Sequence, residues 1–143
     1  MDAVKRGEAS PSFSLDAAAV SILELPAGMI DPGETAAQAA SRELREETGL
    51  VVAPDSLEKI AEYYPSIGGT TERMTAFMAR LPDPIELADA NGDGHERIAV
   101  WKMTFEEAWA HLASGRIETA SSMTLLRELK IMDLEAKLAS KAH

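Results

Sequence analysis

Glu43, Glu46 and Glu47 stand three and four residues apart. On a helix that spacing stacks their side chains along one face within a single turn. Like charges so close together repel and weaken a helix. A hard divalent cation such as Mg²⁺ or Mn²⁺ reverses the sign, because it takes carboxylate and carbonyl oxygens and leaves places for water and phosphate. A bare pattern of this kind is more often a solvated acidic face, so the surrounding residues decide between the two.

The surroundings read as loop, helix, loop. Pro26-Ala27-Gly28 forms a turn, and Asp31-Pro32-Gly33 a second one, since proline presets one backbone angle and glycine tolerates the positive one. Glu34-Thr35 is expected to open the helix, with an acid in the first turn favouring its positive end. Ala36, Ala37, Ala39 and Ala40 propagate it at the lowest intrinsic cost, and Gly49 is suited to stop it.

Taken together, Gly28, five residues, Glu34, seven residues, Arg42-Glu43-Leu44, one residue, Glu46-Glu47, one residue and Gly49-Leu50 match the signature box of the Nudix hydrolases at every specified position. The chain therefore resembles a Nudix domain. That resemblance implies an α/β fold, an α/β/α sandwich whose mixed sheet lies between the box helix and the C-terminal helices. It also implies Mg²⁺, or Mn²⁺, held by Glu43, Glu47 and the backbone carbonyl of Ala27, with Glu46 as a further ligand or bridging carboxylate. Gly28 would leave room against the backbone for metal or phosphate. Glu34, Arg42, Leu44 and Gly49 would be structural, Arg42 pairing with Glu34 or Glu46 and Leu44 pointing into the core.

Outside the box, residues 24–34, with Pro26-Ala27-Gly28, the loop 66–73 and the tail 115–129 are similar to the ADP-ribose pyrophosphatase branch. The resemblance then implies hydrolysis of ADP-ribose or a related nucleoside diphosphate sugar to a nucleoside monophosphate and a sugar phosphate. GDP-mannose or another sugar nucleotide is the alternative substrate. A second alternative is a module that binds ADP-ribose without cleaving it, although every box acid is present. Gly68 and Gly69 let the loop backbone approach a ligand closely, and Glu72 matches a position near the substrate diphosphate. Glu96 matches a glutamate that reaches a metal or water. The branch usually offers another glutamate where Gly94 stands here, so the general base stays open between Glu96 and Asp93. The branch also implies a homodimer.

Composition agrees. At 143 residues and 45% hydrophobic the chain suffices for one core, and a net charge of -10 argues against nucleic acid or an acidic membrane as partner. No cysteine is present, which excludes disulfides and thiol catalysis. No apolar run approaches a membrane span and no basic-then-apolar start suggests secretion, so the cytoplasm is expected.

Residues 1–16 are expected to be a flexible segment and 17–143 a single domain. Strands are expected near 17–25, 50–52, 58–64, 72–79 and 97–103, with a long loop over 81–94. Tyr63, Tyr64 and Trp101 read as packing groups in those strands, and His95 as a loop bystander. Nudix domains spend about two strands before the box, so with 27 residues ahead of it those strands are expected to be partly absent, unusually compressed, or supplied by a partner. Thr104 with Glu107 predicts a capped helix over 105–114, closed by Gly115. A last helix from Ser121 or Ser122 carries Leu125, Leu126, Leu129, Met132 and Leu138 at helical spacing, as core or dimer contact.

Overall fold

The structure, a computed structural model, describes residues 22–82 and 98–141. Helix α1 spans Ala36–Thr48. The turn before it closes through the Glu34 N–H, which donates to the Asp31 carbonyl at 3.0 Å. Pro32 and Gly33 sit in its middle, and Gly33 takes the positive φ of 92° that a type II turn requires.

The helix starts later than the sequence suggests. Thr35 is the cap: its hydroxyl accepts from the Gln38 N–H, and the Gln38 side chain accepts from the Thr35 N–H at 2.8 Å. No acid lies in the first turn. Glu34 is drawn back to Arg42 instead. At the other end Gly49 has φ 74° and donates to the Arg45 carbonyl, a left-handed close that glycine adopts at little cost.

The 3₁₀ turn Pro54–Ser56 leads into β1, Leu57–Tyr63, which pairs antiparallel with β2, Met74–Ala79. Partners run from Leu57 opposite Ala79 to Tyr63 opposite Met74, with a register shift between Lys59 and Ala61. Among the described residues the sheet is this pair alone. The α/β character stands, while the mixed sheet of a three-layer sandwich is not formed by those residues. α1 packs on β2 and α3 on β1.

Three expected strands differ. Residues 50–52 are irregular: Val51 is exposed, Val52 is buried, and the Val52 carbonyl accepts from the Ser41 hydroxyl instead of from a neighbouring strand. Residues 98–103 are also irregular, leaving Trp101 exposed. Residues 22–25 form no strand; Leu23 and Leu25 pack instead against the helices, and residues 17–21 lie outside the described residues. Tyr64 falls just past β1 and is exposed, so neither it nor Trp101 is a packing group.

Helix α2, Phe105–Ala113, has the expected capping box: the Thr104 hydroxyl accepts from the Glu107 N–H, and the Glu107 carboxylate accepts from the Thr104 N–H at 2.7 Å. The Thr104 N–H, and then the Thr104 hydroxyl that lies 3.0 Å from the same carboxylate oxygen, hold the Glu107 carboxyl below its usual range. Helix α3 spans Ala120–Lys141. Ala108, Ile117 and Leu126 form the buried cluster between them, with Leu25, Met103 and Met123 packed around it. Full burial of a leucine such as Leu126 contributes roughly 1.5–3 kcal/mol. Among the described residues no helix is long and apolar enough to cross a membrane.

Candidate active site

One face of α1 carries Ala36, Ala39, Ala40, Glu43 and Leu44, the i, i+3, i+4, i+7, i+8 pattern of a helix turned to the interior. All five line a cavity of about 530 Å³. A carboxylate therefore occupies one place of an otherwise apolar stripe. The same cavity is lined by Ala27 and Gly28 of the turn, by the whole of β2, by Tyr63 and Glu72, and by Ser121, Leu125 and Leu129 of α3.

Glu43 reaches the turn. A Cβ built on Gly28 would stand 1.9 Å from the Glu43 carboxyl carbon and 2.0 Å from its Oε1. Only a residue without a side chain lets that carboxylate lie against the backbone. The room that Gly28 leaves is thus taken by Glu43. The turn is itself moored to α3, because the Leu25 N–H donates to the Ser122 hydroxyl at 2.9 Å, and Ser122 is fully buried.

Arg42 gathers the acids. Its Nε and Nη2 donate to the two oxygens of Glu34 at 3.0 and 2.9 Å, a bidentate fork. Nη2 also donates to the Met29 carbonyl at 2.9 Å, and Nη1 donates to Glu43 Oε1 at 2.7 Å and to Glu46 Oε2 at 3.3 Å. Asp31 lies 3.7 Å from Nη2. The hydrogen bonds from Arg42, helped by the Asp31 N–H, hold the Glu34 carboxyl below its ordinary value. The same bonds to Glu34 and Glu43 raise the guanidinium further above its own.

The structure thus brings Ala27, Gly28, Glu43, Leu44 and Glu72 to one cavity, and Glu34, Arg42, Glu43 and Glu46 to one ion network. Glu47 lies half-buried on the last turn of α1. Gly68 and Gly69 stand apart, in an exposed turn where the Ser66 carbonyl accepts from the N–H groups of Gly69 and Thr70. Asp93, His95 and Glu96 fall outside the described residues.

Arg73 carried no role in the sequence reading. It lines the cavity beside Glu72, pairs with Glu62 at 3.1 Å and lies over the Tyr64 ring at 5.8 Å. The sequence signal was its place directly after Glu72. Burial, and then the charge of Glu72, push the Tyr63 hydroxyl above its usual range.

The donors suit a hard cation by type. Glu43 and Glu46 carry carboxylate oxygens that already converge on one positive group, the Arg42 Nη1, at the edge of the Gly28 turn. Among the described residues no three His, Cys, Asp or Glu side chains stand close enough together to hold a metal ion. Glu43 and Glu46 meet at the Arg42 Nη1, and together with Glu47 they do not form such a group.

A NUDIX domain model matches residues 11–126, and the chain belongs to the Nudix family. It is 36% identical over 113 residues to a GDP-mannose pyrophosphatase of Yersinia enterocolitica, covering 79% of this chain and 58% of that protein. It is 33% identical over 121 residues to a GDP-mannose pyrophosphatase of Yersinia pestis, covering 85% and 60%. An ADP-ribose pyrophosphatase of Escherichia coli is 32% identical over 112 residues, covering 77% and 52%. The chain thus spans little more than half the length of these curated relatives.

Proposed function

We propose that this chain hydrolyses the diphosphate bond of a nucleoside diphosphate sugar, ADP-ribose or GDP-mannose, releasing a nucleoside monophosphate and a sugar phosphate. The observation that carries it is the Glu43 carboxylate laid against Gly28 at the rim of a cavity, beside Arg42 and Glu46. The relatives named for these two substrates support the same class. The domain is proposed to span 17–143, with 1–16 outside it.

Glu43, Glu46, Glu47, the Ala27 carbonyl and Glu96 would hold Mg²⁺ or Mn²⁺. Such a cation, when bound, neutralises diphosphate oxygens and makes a neighbouring water more acidic. The chain's own groups do the rest. The Arg42 fork keeps Glu34 on α1 and so fixes the turn 29–34 under the carboxylates. Glu72 and Arg73 border the cavity where a diphosphate and its sugar would lie. Gly68 and Gly69 would allow the loop backbone to close on the substrate. The proton of the attacking water goes to Glu96 or Asp93.

A product assay across ADP-ribose, GDP-mannose and a uridine diphosphate sugar, with Mg²⁺ and with Mn²⁺, tests this. Release of AMP or GMP with the matching sugar phosphate is expected, and Glu46→Gln and Glu47→Gln should lose turnover while keeping the helical spectrum. Tight ADP-ribose binding without product would point to a binding module. Undiminished turnover in both variants would contradict the site.

A further inference from the structure

The end of the hairpin sorts its side chains onto two sides. Tyr63 closes β1 opposite Met74. Glu72 stands two residues before Met74, so the alternation of extended backbone puts it on the same side as Tyr63. Both line the cavity that Glu43 also lines. Glu62, Tyr64 and Arg73 take the other side, where the Arg73 Nε lies 3.1 Å from the Glu62 carboxylate and the guanidinium carbon 5.8 Å from the Tyr64 ring centre. The guanidinium is therefore drawn away from the side that Tyr63 and Glu72 share.

Tyr63 and Glu72 are opposite in hydrogen-bonding sense. An ionised carboxylate only accepts. Among the described residues Glu72 bonds through its backbone N–H, which donates to the Thr70 hydroxyl at 3.1 Å, and that bond does not occupy the carboxylate. Burial, and then the charge of Glu72, keep the Tyr63 hydroxyl protonated, so it has a proton to give. A ligand atom lying between the two must accept from one and donate to the other. A diphosphate oxygen would accept from Tyr63 and be repelled by Glu72. A sugar hydroxyl satisfies both, taking the Tyr63 proton in a hydrogen bond while giving its own to Glu72.

We infer that Tyr63 is a specificity-determining residue whose hydroxyl, together with the Glu72 carboxylate, reads one sugar hydroxyl of the substrate. That hydroxyl belongs either to the terminal sugar or to the nucleoside ribose, which share this chemistry. The inference rests on the nucleoside diphosphate sugar reading and adds to it the group that selects the sugar. It also gives Tyr63 a part that packing alone does not.

Turnover, and separately affinity by titration calorimetry, are measured for ADP-ribose, GDP-mannose and their single-deoxy analogues, altered in the terminal sugar or in the nucleoside ribose. With the unaltered chain one analogue should lose about 10-fold in kcat/KM or in affinity, the scale of one hydrogen bond, and its altered ring tells which sugar is read. Tyr63→Phe keeps the aromatic ring. It should lose a similar factor on the parent compound and nothing further on that analogue. Glu72→Gln turns an acceptor into a group that also donates, and should blunt the same preference. A Tyr63→Phe variant that matches the unaltered chain on the parent compounds overturns the inference, as does a loss that is equal on the parent and on every analogue. Absence of turnover with binding retained defeats the hydrolase reading alone, since the affinities still decide on Tyr63. Absence of binding to every one of these compounds defeats both.

Discussion

Glu43 lies so close over Gly28 that a single added carbon would fall 1.9 Å from its carboxyl carbon. The contact joins residues fifteen apart in the chain, one in the Pro-Ala-Gly turn and one on the inward face of α1. It fixes where the carboxylate can point. Gly28→Ala must therefore push Glu43 away or shift the turn. We expect turnover to fall by about 10²-fold, the loss typical of an ångström-scale misplacement, with the circular dichroism spectrum retained. Kinetics of the variant on ADP-ribose and GDP-mannose check this, and a fully active Gly28→Ala would show that the contact has no functional consequence.

Arg42 is positioned to act by shape as well as by charge. Its Nε and Nη2 serve Glu34 while Nη1 serves Glu43 and Glu46. A lysine supplies one point charge and cannot span those partners. Arg42→Lys and Arg42→Ala should both lose roughly 10–100-fold in activity or metal affinity, the usual cost of removing a group that orients ligands. Steady-state rates at several Mg²⁺ concentrations test this. Full activity in the lysine variant would mean that charge alone suffices.

The Glu34–Arg42 fork also predicts a pH dependence of stability. Hydrogen bonds from Arg42 hold the folded Glu34 carboxyl below its ordinary value of 4.5. A carboxyl lowered on folding stabilises the fold fully above its unfolded pKa, and that contribution is lost as pH falls through the folded value. Glu34→Gln should therefore be less stable than the unaltered chain at pH 7. The gap in urea midpoint should shrink as pH drops below about 4.5. The same gap at pH 7 and at pH 3 would contradict the ionic account.

Ser122 ties the turn to the last helix. Its hydroxyl accepts from the Leu25 N–H and from the Thr119 hydroxyl, each at 2.9 Å. Ser122→Ala keeps the volume nearly unchanged and removes the acceptor, which should cost about 1 kcal/mol. Urea denaturation measures it. Because Leu25 precedes Pro26-Ala27-Gly28, the variant should also lower turnover more than its stability loss accounts for.

The local elements were legible in the sequence, and the long-range ones were not. Alanine spacing and Gly49 mark α1, and Thr104 with Glu107 marks α2, because caps and helical periodicity depend on neighbours a turn away. Residues 50–52 and 98–103 carry short apolar runs that suit a strand, yet a strand needs a partner, and Val52 gives its carbonyl to Ser41 instead. Tyr64 alternates as a strand residue but precedes Pro65, and β1 ends at Tyr63. In the site, the pairing of Arg42 with Glu34 could be anticipated from charge. The approach of Glu43 to Gly28 could not, since it depends on how the turn folds back over α1.

The claim beneath all of this is that acids on α1 hold divalent cations. Titration calorimetry of Mg²⁺ and of Mn²⁺ into the intact chain, with and without a non-hydrolysable ADP-ribose analogue, addresses it directly. Saturable uptake is expected, and it should be abolished or sharply weakened in Glu43→Gln and Glu47→Gln. No uptake of either ion with the nucleotide present, or unchanged uptake in both variants, would contradict it.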